Sequence, residues 1–174
     1  MILIADSGST KTEWRLTDAS GVISSTTTIG LNPLAQDNEA MLKLLRNSEL
    51  SGWAESKISE VYFYGAGIID AVQKSNTAEN LKQFFKSSEI IVESDLLGAA
   101  RAVFGNESGI IGILGTGSNS GFYNGSEITE KIPALGYILG DEGSGAVLGK
   151  ALLKLFLRNH LPSELSAAFK AFYP

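Results

Sequence analysis

Cysteine is absent from the 174 residues, and histidine occurs once, at His160. Without cysteine there is no disulfide, no thiolate zinc site and no cysteine-held iron–sulfur cluster. His160 falls at the end of a helical stretch, where a cation is favourable. A single histidine also leaves histidine-based triads and zinc catalysis short of parts. Basic stripes are missing as well: the net charge is −5, and no run of Lys/Arg lines one face, which argues against a nucleic-acid partner. The opening MILIADSG has no basic segment, and its apolar run is far too short for a signal peptide or a membrane span. The expectation is a cytoplasmic protein that engages neither nucleic acid nor membrane. Two nucleotide loops are also lacking. The pattern G-x-x-x-x-G-K-[ST] fails because Lys11 follows Thr10 rather than glycine. The pattern G-x-G-x-x-G fails at 65–70, 115–120 and 143–148, where Asp70, Ser120 and Leu148 stand in the last place.

What is there fits a globular protein with a real core: 44% hydrophobic and 19% charged residues. Many of the 19 glycines fall in GAG, GILGTGSNSG and GDEGSGAVLG. ILIA (2–5) reads as a buried strand ending at Asp6. TEWRLT (12–17) alternates, with Trp14 and Leu16 on one face and Glu13 and Arg15 on the other, so residues 7–11 form a hairpin turn. VISSTTTIG (22–30) is β-branched and follows a second turn. Helical spacing then appears at 35–50, with Met41, Leu42 and Leu45 on one face. A strand at 58–67, a helix at 76–85, a strand at 90–94 and a helix at 95–105 closed by Gly105 follow. The order βββαβαβα predicts an α/β layer with a mixed sheet. Trp14, Trp53, Tyr62, Phe63 and Tyr64 are candidate core.

After GNESG (105–109), a plausible hinge, the β pattern restarts at 110–115, 118–125 and 126–132. Like residues 2–12, it opens with an apolar strand entering a Gly/Thr/Ser turn. A mostly buried helix is expected at 144–160 and a last one at 163–172, with Leu165, Phe169 and Phe172 inward. The reading is a first domain over 1–106 and the incomplete beginning of a second, copied domain over 107–174.

Two hairpin turns carry the chemistry. DSGSTKT supplies Gly8, Ser9, Thr10, Lys11 and Thr12, and GTGSNS supplies Gly115, Thr116, Gly117 and Ser118. Small residues let backbone N–H groups turn toward an anion, and the hydroxyls add donors. Asp6 serves either as a strand-end turn former or as the holder of a hydrated Mg²⁺, which takes one or two carboxylates plus water and phosphate oxygens. Lys11 reads equally as a phosphate contact or a solvated lysine. Asp95 follows a strand and opens a helix, a place that suits an N-cap, as does Ser94. Asn32, before Pro33, suits a turn.

DSGSTKTEW, GLNP (30–33), ESDLLGAARA (93–102), GTGSNS (115–120) and LGYILGDEGSGAVLGK (135–150) occur in one order along the chain. In that order they resemble the N-acetylglucosamine kinase family, grouped with the activator ATPases of benzoyl-CoA reductase. That group belongs to the actin, sugar kinase and heat-shock chaperone ATPase superfamily. The resemblance covers nearly the whole chain but only the first half to two-thirds of such a kinase. It implies a ribonuclease H-like actin-type ATPase domain followed by the start of its duplicate, with a phosphate hairpin from each. It implies ATP and Mg²⁺ as cofactors, Asp6 as the metal-side acid, Asp95 as general base and an amino sugar as the small-molecule substrate. Asn32, Thr116, Asn119 and Asp141 would contact the sugar, and Gly136 and Gly145 would let backbone approach it. The missing cysteines disfavour the activator branch and a cysteine-rich zinc-loop repressor branch. A non-catalytic sugar-sensing domain is the alternative of another class. A fragment is expected to be inactive alone, and an uncovered helix 144–160 would invite a homodimer.

Overall fold

The computed structural model describes residues 1–53 and 57–173. Its elements run β1 (Ile2–Ser7), β2 (Lys11–Asp18), β3 (Gly21–Ile29), α1 (Asn38–Arg46), α2 (Leu50–Trp53), β4 (Glu60–Gly65), α3 (Ala71–Phe84), β5 (Glu89–Ser94) and α4 (Asp95–Phe104). Then come β6 (Gly109–Leu114), β7 (Ser118–Tyr123), β8 (Ile128–Lys131), α5 (Gly136–Leu139), α6 (Gly145–Leu157) and α7 (Ser163–Phe172). The first five strands form one sheet in the order β3-β2-β1-β4-β5, and β6-β7-β8 form a second. β1 pairs antiparallel with β2 and parallel with β4, and β4 pairs parallel with β5. The mixed sheet and the βββαβαβα order expected from the sequence are present, with the short α2 added between α1 and β4.

By contacts the chain divides into one compact unit of Met1–Ile111 with Phe122–Thr129 and another of Gly112–Gly121 with Glu130–Pro174. β6, β7 and β8 therefore each contribute residues to both.

In the first unit the strand period of two sorts side chains to the two faces of the sheet. Leu3, Ala5, Trp14, Leu16, Val61, Phe63 and Val92 share one buried face with Met41 and Leu45 of α1 and with Leu81 and Phe85 at the end of α3. Trp14 is at its centre. Its ring lies 6.1 Å from Phe63 and 6.3 Å from Phe85, and its indole N–H donates to Thr28 Oγ1 at 3.0 Å. The opposite face takes α4 through Leu96, Leu97 and Ala100. β1 is thus not buried on both sides, as a continuous apolar run suggested; Ile4, on the α4 side, is 40% exposed.

Helix boundaries move for local reasons. The helix expected at 35–50 is cut at both ends. Asp37 caps α1 by accepting from the Ala40 N–H, and the chain leaves the helix at Asn47 before the short α2. The helix expected at 76–85 begins at Ala71, because Asp70 accepts from the Val72 and Gln73 N–H groups. Tyr62 and Tyr64 are half-buried rather than core, and Trp53 packs against the core edge.

In the second unit α6 and α7 meet through Phe156 and Phe169, whose rings lie 4.4 Å apart. α6 ends in a Schellman arrangement: Asn159 is left-handed (φ 57°), its N–H donates to Phe156 C=O, and the His160 N–H donates to Leu155 C=O. Neither helix has a buried residue. Leu148, Leu152, Leu155, Leu165 and Phe172 are exposed, which corrects the expected mostly buried 144–160 helix and the inward Leu165 and Phe172. Only Phe169, half-buried between Phe156 and Tyr173, points as expected. Among the described residues no helix is long and apolar enough to cross a membrane.

Trp14→Ala is expected to destabilise the first unit by about 3–5 kcal/mol, the usual cost of emptying a large aromatic site. Urea unfolding followed by circular dichroism measures it; a change near zero would show that the core is centred elsewhere.

Candidate functional site

The first hairpin turn is built from the inside out. Ser7 and Thr12 form the last cross-strand pair before the turn, and both are fully buried. Their hydroxyls lie 2.6 Å apart, and the Leu31 N–H donates to both, at 3.0 and 3.2 Å. Ser7 Oγ also contacts Leu31 C=O at 3.1 Å. The segment after β3 is thereby bolted to the hairpin. Gly30 lies against the turn, its N–H donating to Thr10 C=O at 3.0 Å. A side chain there would run into the Gly8 and Ser9 carbonyls, so the position requires glycine. Thr12 was expected among the phosphate contacts. Its hydroxyl makes its hydrogen bonds inside this bolt. Ser9, Thr10 and Lys11 are exposed. Among the described residues no backbone group partners the Ser9 or Thr10 N–H.

The parallel pairing aligns strand ends. Asp6 pairs with Tyr64, and Tyr64 with Glu93; one residue on, Ser7, Gly65 and Ser94 are in register. In an open α/β sheet, ligands bind outside the carboxyl ends of such strands. Asp6 is exposed there, on the side of the sheet that carries α4. Its antiparallel partner is Glu13, a like charge directly opposite, which costs stability unless offset. Arg15 offsets Glu13, donating through Nε at 2.9 Å and through Nη2 at 2.5 Å. That hydrogen bond holds the Glu13 carboxyl below the usual range. Among the described residues no such partner serves Asp6, whose exposed carboxylate suits a hydrated divalent cation beside phosphate oxygens. Among the described residues no cluster of three or more His, Asp or Glu forms a metal cage. The Asp6–Glu13 pairing was invisible to spacing alone; it needs the register.

Asp95 is the first residue of α4, two strand spacings, about 10 Å, from the β1 end. Ser94 is the cap: its side chain accepts from the Leu97 N–H at 3.3 Å, in extended backbone geometry. Asp95, half-buried, accepts from the Leu96 N–H at 2.8 Å. The choice left open between Ser94 and Asp95 as N-cap therefore falls to Ser94. α4 is pressed onto the sheet at Gly98, where a Cβ would come within 2.6 Å of the Tyr64 ring. Arg101 adds a hydrogen bond of 3.2 Å to the Tyr64 hydroxyl. These contacts hold the start of the helix in place.

Asn32 makes a turn of its own. Its side-chain oxygen accepts from the Leu34 N–H at 2.9 Å, and its carbonyl accepts from the N–H groups of Ala35 and Gln36. Gly67, at φ 80°, packs directly against its amide.

In the second unit the hairpin turn Gly115–Gly117 closes through the Gly115 N–H to Gly117 C=O at 2.9 Å. The Gly145 N–H donates to Gly115 C=O at 2.9 Å, and the Ala146 N–H to Thr116 C=O at 3.3 Å. Ser144, buried, caps α6 by accepting from the Val147 N–H. Asp141 accepts from the Ser118 N–H at 3.0 Å. Asn119, Ser118 and Asp141 also line an open cavity of about 510 Å³, walled on one side by the apolar stretch Ile132–Leu135. Thr116, Gly136 and Gly145 are exposed and lie outside its lining. Gly136, at φ 70°, is needed for its backbone conformation at the start of α5.

The five-stranded mixed sheet, its polar turns at the carboxyl ends of parallel strands and a second sheet with helices make this an α/β chain of the actin-like ATPase fold. Among solved structures, it is similar to a Porphyromonas gingivalis protein provisionally named N-acetylglucosamine kinase. The two share 43% identity at a TM-score of 0.93, over 99% of this chain and 62% of that one. A Chromobacterium violaceum protein under the same provisional name matches at 22% identity and a TM-score of 0.66, over 98% of this chain and 63% of that one. MreB 5 of Spiroplasma citri, solved with AMPPNP, matches at 12% identity and a TM-score of 0.55, over 75% of this chain and 51% of that one. The last two show the fold alone. This chain spans less than two thirds of the length of each of the three. No family model and no curated protein sequence matches it.

Thr12→Val is expected to cost about 1–3 kcal/mol, because Ser7 and the Leu31 N–H lose a buried partner, whereas Thr12→Ser should cost well under that. Thermal and urea unfolding of the two variants decide it. Equal stability of Thr12→Val and wild type would mean that the hydroxyl bolt does not hold the hairpin.

Proposed function

We propose that this chain is the leading part of a cytoplasmic, ATP-dependent sugar kinase of the N-acetylglucosamine type, acting on the 6-hydroxyl of an amino sugar. The observation that carries the reading is the division of labour at the head of α4. Ser94 caps the helix, so a carboxylate at Asp95 is not required for the cap. It stands at the same strand edge as Asp6 and the first hairpin turn. The identity of 43% to the Porphyromonas gingivalis protein, across nearly the whole of this chain, supports the same class.

In this reading the sugar 6-oxygen attacks the γ-phosphorus in line. Asp95 takes the hydroxyl proton, the bond from the γ-phosphorus to its bridging oxygen breaks, and ADP leaves. The N–H groups of Ser9 and Thr10 in one hairpin, and of Thr116 and Gly117 in the other, donate to phosphate oxygens, with Lys11 adding charge. Bound Mg²⁺ would neutralise phosphate charge, and Asp6 is the residue to hold it, through water. Positioning and electrostatics of this kind carry most of phosphoryl transfer. Asn119 and Asp141, on one cavity wall, and Asn32 are the polar groups offered to sugar hydroxyls, and Ile132–Leu135 offer an apolar surface to a substituent. Thr116, Gly136 and Gly145 complete the proposed sugar contacts.

Asp95→Asn, in a complete and active form, is expected to lower kcat by roughly 10²–10⁴-fold while leaving sugar affinity and melting temperature near wild type, since Ser94 keeps the cap. Wild-type kcat would remove Asp95 from the mechanism. The chain by itself is expected to give no steady ADP release with any amino sugar, because it spans 62% of its similar kinase-named neighbour. Its exposed apolar α6 face is expected to self-associate, as a homodimer, in sedimentation at high concentration. Steady turnover by the chain alone, or a clean monomer, would contradict the respective expectation.

A further inference from the structure

We infer that Asp141 is a positioning residue for the second hairpin turn: its carboxylate and its left-handed backbone lock Gly115–Ser118 so that only N–H groups are left to face an anion. Asp141 sits at φ 60°, a conformation that aspartate adopts more readily than most residues but that still marks a special position. The left-handed turn lets both ends of the residue work. Its carbonyl accepts from the Ser144 N–H at 3.0 Å, which fixes the start of α6. Its carboxylate reaches back to the Ser118 N–H at 3.0 Å. At Gly117 a Cβ would stand 2.8 Å from the same carboxylate oxygen, so glycine there makes room for the approach.

The first two residues of α6 complete the lock. Gly145 and Ala146 donate to the carbonyls of Gly115 and Thr116. Segment 141–146 therefore consumes two carbonyls of the turn and the N–H that follows it. Among the described residues, the N–H groups of Thr116 and Gly117 have no backbone partner. A turn whose carbonyls are tied back and whose donors point out is suited to phosphate oxygens. The locking role stands on geometry alone; its consequence for phosphate binding rests on the kinase reading above. It gives Asp141 work that a contact with sugar hydroxyls does not require.

Amide hydrogen exchange on the whole chain tests it. Asp141→Asn keeps an acceptor oxygen and tolerates the left-handed backbone, so Ser118 should stay protected. Asp141→Gly keeps the backbone freedom and loses the acceptor, so Ser118 should exchange roughly tenfold faster. Gly117→Ala, with Asp141 intact, should also expose Ser118 by pushing the carboxylate away. Unchanged protection in both Asp141→Gly and Gly117→Ala would overturn the inference. Equal loss in Asp141→Asn and Asp141→Gly would overturn it too, since charge rather than an acceptor would then be what matters. Failure of the kinase reading shows elsewhere, as absent phosphoryl transfer in a complete form, and leaves the Ser118 amide unmoved.

Discussion

β1 is hydrogen-bonded on both sides, antiparallel to β2 and parallel to β4, and this double pairing decides where the polar turns lie. The antiparallel side makes the residues after Ser7 a tight hairpin turn. The parallel side brings the ends of β4 and β5 level with that turn. A slip of one residue in β1 would send Ser7 out of the core and Asp6 into it, because strand side chains alternate. The buried pair of Ser7 and Thr12 opposes such a slip. Two hydroxyls inside an apolar layer are stable only where they find each other and the Leu31 backbone.

Each unit braces its own hairpin with a later segment. In the first, Gly30 and Leu31 lie against the turn, and glycine is required by close approach to backbone. In the second, residues 141–146 do so, and glycine at 117 is required by the approach of a carboxylate. In both, a strap N–H takes a turn carbonyl: Gly30 on Thr10, and Gly145 on Gly115. The chemistry of the braces differs, with buried hydroxyls in one and a carboxylate with a helix start in the other. In the second turn the carbonyls of Gly115, Thr116 and Gly117 all accept hydrogen bonds; in the first, the Thr10 carbonyl does.

Much of this was legible in the sequence because local pattern and fold agree there. The alternation in TEWRLT put Trp14 and Leu16 inward, and the glycine-rich turns marked both hairpins. The order of strands and helices in the first unit followed from period alone. Three things were hidden because they depend on partners distant in sequence. Thr12 reads as a turn hydroxyl until pairing with Ser7 buries it. Glu13 reads as a solvent-side charge until register sets it opposite Asp6. Asp141 reads as a ligand contact until its carboxylate is seen on Ser118, 23 residues earlier. Asp37 and Asp70 cap their helices through their side chains, a signal that apolar spacing does not carry. The apolar stripes of α6 predicted burial, but among the described residues Phe156 meets Phe169 of α7 while Leu148, Leu152 and Leu155 stay exposed.

We propose that each hairpin turn, within its own unit, offers its unpaired N–H groups to phosphate oxygens. Nitrogen-15 amide spectra of the labelled chain, titrated to millimolar MgATP, test it most directly. The proposal predicts shifts at the amides of Ser9 and Thr10 in the first turn and of Thr116 and Gly117 in the second, while those of Leu31 and Ala146, tied inside the braces, move little. Shifts clustered elsewhere, with these four amides unmoved at saturation, would contradict it.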